Sequence, residues 1–102
     1  MTSITSRITD ASATILVKGR FDFSSHKDFR GAAKMAIEGK GIKEIQIDLS
    51  GVDYVDSAAL GMLLLTRENA KAVNITVCLL KPSAIVQQVL DVANFQKLFE
   101  IR

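Results

Sequence analysis

The stretch Ile45-Gln46-Ile47-Asp48-Leu49-Ser50-Gly51-Val52-Asp53-Tyr54-Val55-Asp56-Ser57-Ala58-Ala59-Leu60-Gly61 changes its hydrophobic period midway, and that change decides the fold. Ile45, Ile47 and Leu49 alternate with Gln46 and Asp48, the period-two pattern of a strand with one face buried. From Ser57 to Lys71 the pattern becomes helical. Its first half is apolar almost all round, which predicts deep burial between a sheet and neighbouring helices, and its second half, from Arg67 to Lys71, is polar. Between the two, Ser50 to Asp56 reads as a loop. Asp56 or Ser57 is the expected N-cap, a short polar side chain accepting from an amide that the helix itself leaves unpaired.

Working outward, Ile4 to Ile8 is short and punctuated by Ser and Thr, as an edge strand is. Asp10-Ala11-Ser12 is a turn, and Ala13 to Gly19 alternates as a second strand paired with the first. Ser24-Ser25 signals a helix start, with Ser25 and Asp28 at capping-box spacing. Phe29, Ala32 or Ala33, Ala36 and Ile37 form that helix's apolar face, and Gly39 and Gly41 end it. Beyond Lys71, Asn74 to Leu80 is a third apolar strand. Pro82 suits the first turn of a further helix carrying Ile85, Val86, Val89 and Leu90 inward. Asn94 begins a last short helix with Phe95, Leu98 and Phe99, and Ile101 closes the chain. The order β-β-α-β-α-β-α-α with short linkers predicts one α/β domain over residues 1–102. Its sheet is mostly parallel, of four to five strands with one antiparallel edge strand, flanked by about four helices.

Composition agrees. The 102 residues are 48% hydrophobic and 24% charged, the profile of a globular chain. A domain of this size buries roughly 65% of its unfolded surface and can hold a core without disulfides or metals. The one cysteine, Cys78, lies in an apolar run and reads as an inert buried thiol. Thirteen Lys and Arg against 11 Asp and Glu give a net charge of +2, scattered rather than striped, so nucleic acid is not an expected partner. The N-terminal residues lack the apolar core of a signal peptide. The longest apolar run, Ala58 to Leu65, is far below the roughly 18 residues that span a bilayer. A cytoplasmic protein without direct membrane insertion is expected.

Enzyme signals are weak. His26 has no second histidine or cysteine at ligand spacing, and no nucleophile-elbow motif flanks any serine. Gly39-Lys40-Gly41 is a turn at a helix end rather than a phosphate loop. Asp53 and Asp56 share the expected loop, where solvation and capping account for them. No catalytic residue, metal site or cofactor is expected.

The segment around Ser57 resembles the signature of STAS domains, the family of anti-sigma-factor antagonists and of sulfate-transporter C-terminal domains. The hallmark is a strand ending Asp-Leu-Ser, a loop with hydrophobic-Asp-Ser, and a helix with Leu-Gly near its start. These stand here as Asp48-Leu49-Ser50, Val55-Asp56-Ser57 and Leu60-Gly61. Gly19 with Phe21-Asp22, and the Lys-Pro-Ser passage after the third apolar strand, are similar too, so the likeness spans the chain. Ala58 and Ala59 stand where the family commonly has Ser and Gly, which keeps helix propensity but alters the surface beside Ser57. Phe21 to His26 also departs from the commonest wording.

The resemblance implies an anti-sigma-factor antagonist, not an enzyme, whose Ser57 is phosphorylated. Its partners would be an anti-sigma factor or a GHKL-type serine kinase, with a PP2C-type serine phosphatase to reset it. The implied contact face comprises Asp53, Asp56, Ser57, Ala58, Leu60 and Gly61, with Asp22 and Ser24 as its rim. Two other readings within the family are a subunit of a larger assembly, such as a stressosome or a lipid-transport complex, and a nucleotide-binding STAS module. In the first, Ser57 need never carry phosphate; for the second, the chain offers no phosphate loop.

Overall fold

Ile45, Ile47 and Leu49 stand fully enclosed at the middle of a five-stranded sheet in a computed structural model that describes residues 2–102. In chain order the elements are β1 (Thr2–Thr9), β2 (Ser12–Phe21), a 3₁₀ turn (Phe23–Ser25), α1 (His26–Glu38), β3 (Glu44–Val55), α2 (Ser57–Lys71), β4 (Thr76–Leu80), α3 (Ala84–Val92), a second 3₁₀ turn (Phe95–Lys97) and β5 (Glu100–Ile101). The strands lie in the order β1-β2-β3-β4-β5, with β1 antiparallel to β2 and every other pair parallel. This is the expected α/β architecture at five strands, with three α-helices and two 3₁₀ turns.

Each βαβ crossover advances one strand in the same direction. Right-handed crossovers therefore bring every helix to one face of the sheet. The core fills that face. Ala13, Ile15 and Val17 of β2 alternate into it beside Ile45, Ile47 and Leu49 of β3 and Leu79 of β4. The helices return Phe29, Ala33 and Ala36 from α1, Ala59, Met62 and Leu63 from α2, and Val86 and Leu90 from α3.

The opposite face carries a polar network. Thr14 Oγ1 donates to Gln46 Oε1 (3.1 Å), Gln46 Nε2 donates to Glu44 Oε1 (2.7 Å), and Arg102 donates to both Glu44 oxygens (3.2 and 3.1 Å). The Arg102 and Gln46 hydrogen bonds hold the Glu44 carboxyl below its usual range. Cys78, set in register between Gln46 and Glu100, is free and buried, and burial pushes its thiol up to about 11.

Several expectations are corrected. Ser50 to Val55, expected as a loop, continue β3 alongside Lys18 to Phe21 of a longer β2. The extension survives because β3 carries two bulges, one between Asp48 and Gly51 and one at Asp53. Gly51 suits that bulge, since a Cβ would stand 2.9 Å from Cγ of its partner Lys18, and Gly19, the next residue of β2, adopts φ +86°. The Ser25–Asp28 capping box does not form: Ser25 is buried, and its hydroxyl serves the preceding turn. Pro82 lies before α3, whose N-cap is Ser83; the Ser83 hydroxyl donates to the Val52 carbonyl (2.9 Å) and accepts from Val86 N–H (3.4 Å). That anchoring turns Ile85 outward, 62% exposed, rather than inward. Leu98 lies past the second 3₁₀ turn and is exposed. The first half of α2 is not enclosed all round, because helices cover only one face and its outer stripe, Ser57, Gly61 and Leu65, meets solvent.

Candidate functional site at the α2 N-terminus

Asp56 organises the site. Its extended backbone ends β3, and its carboxylate caps α2: Oδ1 accepts from Ala59 N–H (2.8 Å). The other oxygen, Oδ2, accepts from Phe23 N–H (3.2 Å), tying the 3₁₀ turn after β2 to the start of α2. Of the two candidates for N-cap, Asp56 therefore takes the role, which leaves Ser57 as the first helical residue with its side chain in solvent. One carboxylate thus sets both the helix and the rim beside it.

The rim is densely hydrogen-bonded for its size. Asp22 caps the 3₁₀ turn, accepting from Ser24 N–H (2.9 Å) and Ser24 Oγ (2.5 Å), while Ser25 Oγ accepts from Asp22 N–H (3.3 Å). Arg20 Nε donates to Asp22 Oδ2 (2.9 Å), and the same guanidinium lies 3.8 Å above the centre of the Tyr54 ring. The Ser24 hydroxyl, with the Arg20 guanidinium and the Ser24 amide, holds the Asp22 carboxyl below its usual range. Thr2 hydrogen-bonds Ser25 Oγ (2.7 Å) and the Arg20 carbonyl, fastening the start of β1 to this corner.

The residues expected at the contact face are spread over three surfaces. Ser57 and Gly61 share the exposed stripe of α2, while Ala58 and Leu60 are half-buried on its flanks. Leu60 lines a shallow groove of about 430 Å³ against Gln88, Val89, Val92 and Ala93 of the α3 region. Asp53 is exposed at its bulge, and Ser24 is exposed on the turn that Asp22 caps. Asp22 and Asp56 are joined through the turn; Asp53 shares no side-chain bond with them.

Phe23 escapes sequence reasoning. It is 73% exposed, held on the capped turn, and stacked on the His26 ring with centroids 6.1 Å apart. A large apolar residue between Asp22 and Ser24 in a turn is the signal that marks it, since core packing does not explain it. Among the described residues, no group of three His, Cys, Asp or Glu side chains is placed to hold a metal ion, and no helix is long and apolar enough to cross a membrane.

Comparison with known proteins places this geometry. Residues 4–100 match the family model described as "Mlab, STAS domain". A STAS-domain containing protein of Pseudomonas aeruginosa (strain UCBPP-PA14) is 43% identical over 89 residues, covering 86% of this chain and 85% of that protein. Among solved structures, the anti-sigma factor antagonist SpoIIAA in its unphosphorylated form aligns with a TM-score of 0.77 at 21% identity, over 98% of this chain and 87% of that one. The phosphorylated form of SpoIIAA, the Bacillus cell fate determinant, aligns at 0.76 and 19%, over 98% and 91%. An anti-sigma factor antagonist from Mycobacterium paratuberculosis gives 0.83 at 16% identity, over 99% and 85%. At these identities the structures establish a shared fold. The chain belongs to the STAS domain family and has the fold of its anti-sigma-factor antagonists.

Proposed function

We propose that this protein is a cytoplasmic partner-switching regulator of the anti-sigma-factor-antagonist kind, a binding module rather than an enzyme, whose state is set by phosphate on Ser57. The observation that carries the reading is an exposed serine at the first position of a 15-residue helix whose cap is supplied by the residue before it. Because Asp56 already holds the Ala59 amide, Ser57 has no part in capping, and its hydroxyl is accessible to a kinase.

Phosphorylation adds about −1.5 to −2 charges and three acceptor oxygens. The helix dipole and the free amides of the first turn favour negative charge there, so the fold should persist. That SpoIIAA, similar in fold, has been solved with and without phosphate, and aligns equally well in both forms, supports a switch acting at the surface. The effect then falls on the partner. Asp53 and Asp56 lie close in sequence to Ser57, and a phosphate raises this local negative charge. A partner that accommodates a neutral hydroxyl is expelled. Converting a population from almost wholly bound to almost wholly free takes about 5.5 kcal/mol of differential affinity. A phosphate desolvated without a cation can supply several kcal/mol.

The partner is an anti-sigma factor or a GHKL-type serine kinase, and a PP2C-type phosphatase resets the serine. Its footprint is Ser57, Ala58, Leu60 and Gly61 of α2, Asp53 and Asp56 before it, and Asp22 and Ser24 on the capped turn. Titrating the purified partner against wild type, Ser57→Ala and Ser57→Asp tests the reading. Ser57→Ala should bind as wild type and Ser57→Asp at least 100-fold more weakly. Equal affinities for all three would contradict it.

A further inference from the structure

The geometry points to a second docking surface, the free edge of β1, and to its occupant: another copy of this chain, joined by an antiparallel β1–β1 seam centred on Ser6. The two sheets become one of ten strands.

An edge strand exposes a row of unpaired N–H and C=O groups, which native proteins blunt with brevity, lysine, proline or bulges. The β5 edge is blunted: it is two residues long and carries the Glu100–Arg102 ion pair. The β1 edge is not. Thr2–Thr9 pairs with β2 over eight residues without a register shift, has neither proline nor lysine, and bears a single charge, Arg7.

Its side chains fit a two-fold seam. Ile4 and Ile8 stand opposite Val17 and Ala13, both buried, so both isoleucines point to the helix-covered face. Ile8 is nonetheless 60% exposed, because no strand covers its outer flank. In an antiparallel pair, opposed residues point their backbone groups both into the seam or both away from it, so two copies can oppose only residues of like parity. With Ser6 on the axis, Ile4 of each copy meets Ile8 of the other, and Thr5 meets Arg7. Centring on Thr5 instead would set Ile4 against Ser6 and Ile8 against Thr2. Only the Ser6 register covers the exposed isoleucine with its counterpart on both sides of the axis.

The helix above the edge agrees. α1 turns His26, Arg30 and Ala33 toward a groove with α2, leaving Asp28, Gly31 and Met35 on the flank away from α2. Met35 is 73% exposed, and a Cβ at Gly31 would meet nothing within 4 Å. A two-fold axis perpendicular to the sheet brings the two α1 helices antiparallel on one face. α2, which carries Ser57, packs on the other side of α1 from this edge, against β4.

A seam of one short strand pair flanked by a few isoleucines belongs with weak, transient interfaces, so association is expected in the micromolar range. Sedimentation equilibrium on the full chain from about 1 to 500 µM should give a mass rising from one chain toward two. Ile8→Lys, at a site exposed enough to leave folding intact, should weaken association at least tenfold. Ser6→Cys should form a disulfide-linked dimer under mild oxidation, and Thr2→Cys should not, because only a residue on the axis faces its own copy. A monomer throughout this range, or a dimer that is indifferent to Ile8→Lys and unlinked by Ser6→Cys, would overturn the proposal.

Discussion

Replacing Asp56 by alanine removes the one side chain that both caps α2 and ties the Phe23 turn to it. Losing the N-cap bond to Ala59 costs about 1 kcal/mol. Losing the negative charge from the helix N-terminus adds roughly 0.5 kcal/mol. The bond to Phe23, exposed and longer at 3.2 Å, adds about 0.5 kcal/mol. The sum, about 2 kcal/mol, corresponds to a fall in Tm of roughly 10 °C for a domain of this size. Asp56→Asn keeps a competent capping oxygen but loses the charge and the second acceptor, and should lose about half as much. Urea unfolding of the two variants reads the totals, and amide exchange at Phe23 and Ala59 shows whether both ties have gone. If Asp56→Ala unfolds within about 0.5 kcal/mol of wild type, the assigned role of Asp56 is wrong.

Gly61 lies on the exposed stripe of α2 with free space around a would-be Cβ, so Gly61→Ala should stabilise the protein by about 0.5–1 kcal/mol. A thermal melt reads this as a rise of a few degrees. Cys78, with its thiol pushed up to about 11, should be nearly silent in the native state. At pH 8 its thiolate fraction is therefore far below that of an ordinary cysteine. Titration with a thiol-reactive disulfide should give little signal until denaturant is added.

Much of this was legible in the sequence, because its strongest patterns are local. The alternation of Ile45, Ile47 and Leu49 maps directly onto a buried strand face, and the polar residues at 56 and 57 mark the helix start. What local patterns missed depends on distant residues. Ser50 to Val55 become strand because Lys18 to Phe21 lie alongside, and two bulges erase the period that would have disclosed it. Ile85 faces solvent because Ser83 is fastened to Val52, a bond across 31 positions. Leu65 belongs to an apolar run yet is exposed, since only the topology reveals that one face of the sheet bears all the helices. At the candidate site, Asp56 and Ser57 stand out in the sequence through the STAS-like motif. Phe23 does not, because its exposed position on the capped turn depends on the bond to Asp56, 33 residues away.

Phosphate on Ser57 is the central claim, and phosphopeptide mass spectrometry on the protein isolated from its host, in growth and under stress, tests it most directly. The account predicts a phosphorylated peptide localised to Ser57 whose occupancy changes between the two conditions. A well-covered Ser57 peptide that is unmodified in both would contradict the switch and leave the serine as an ordinary first residue of α2.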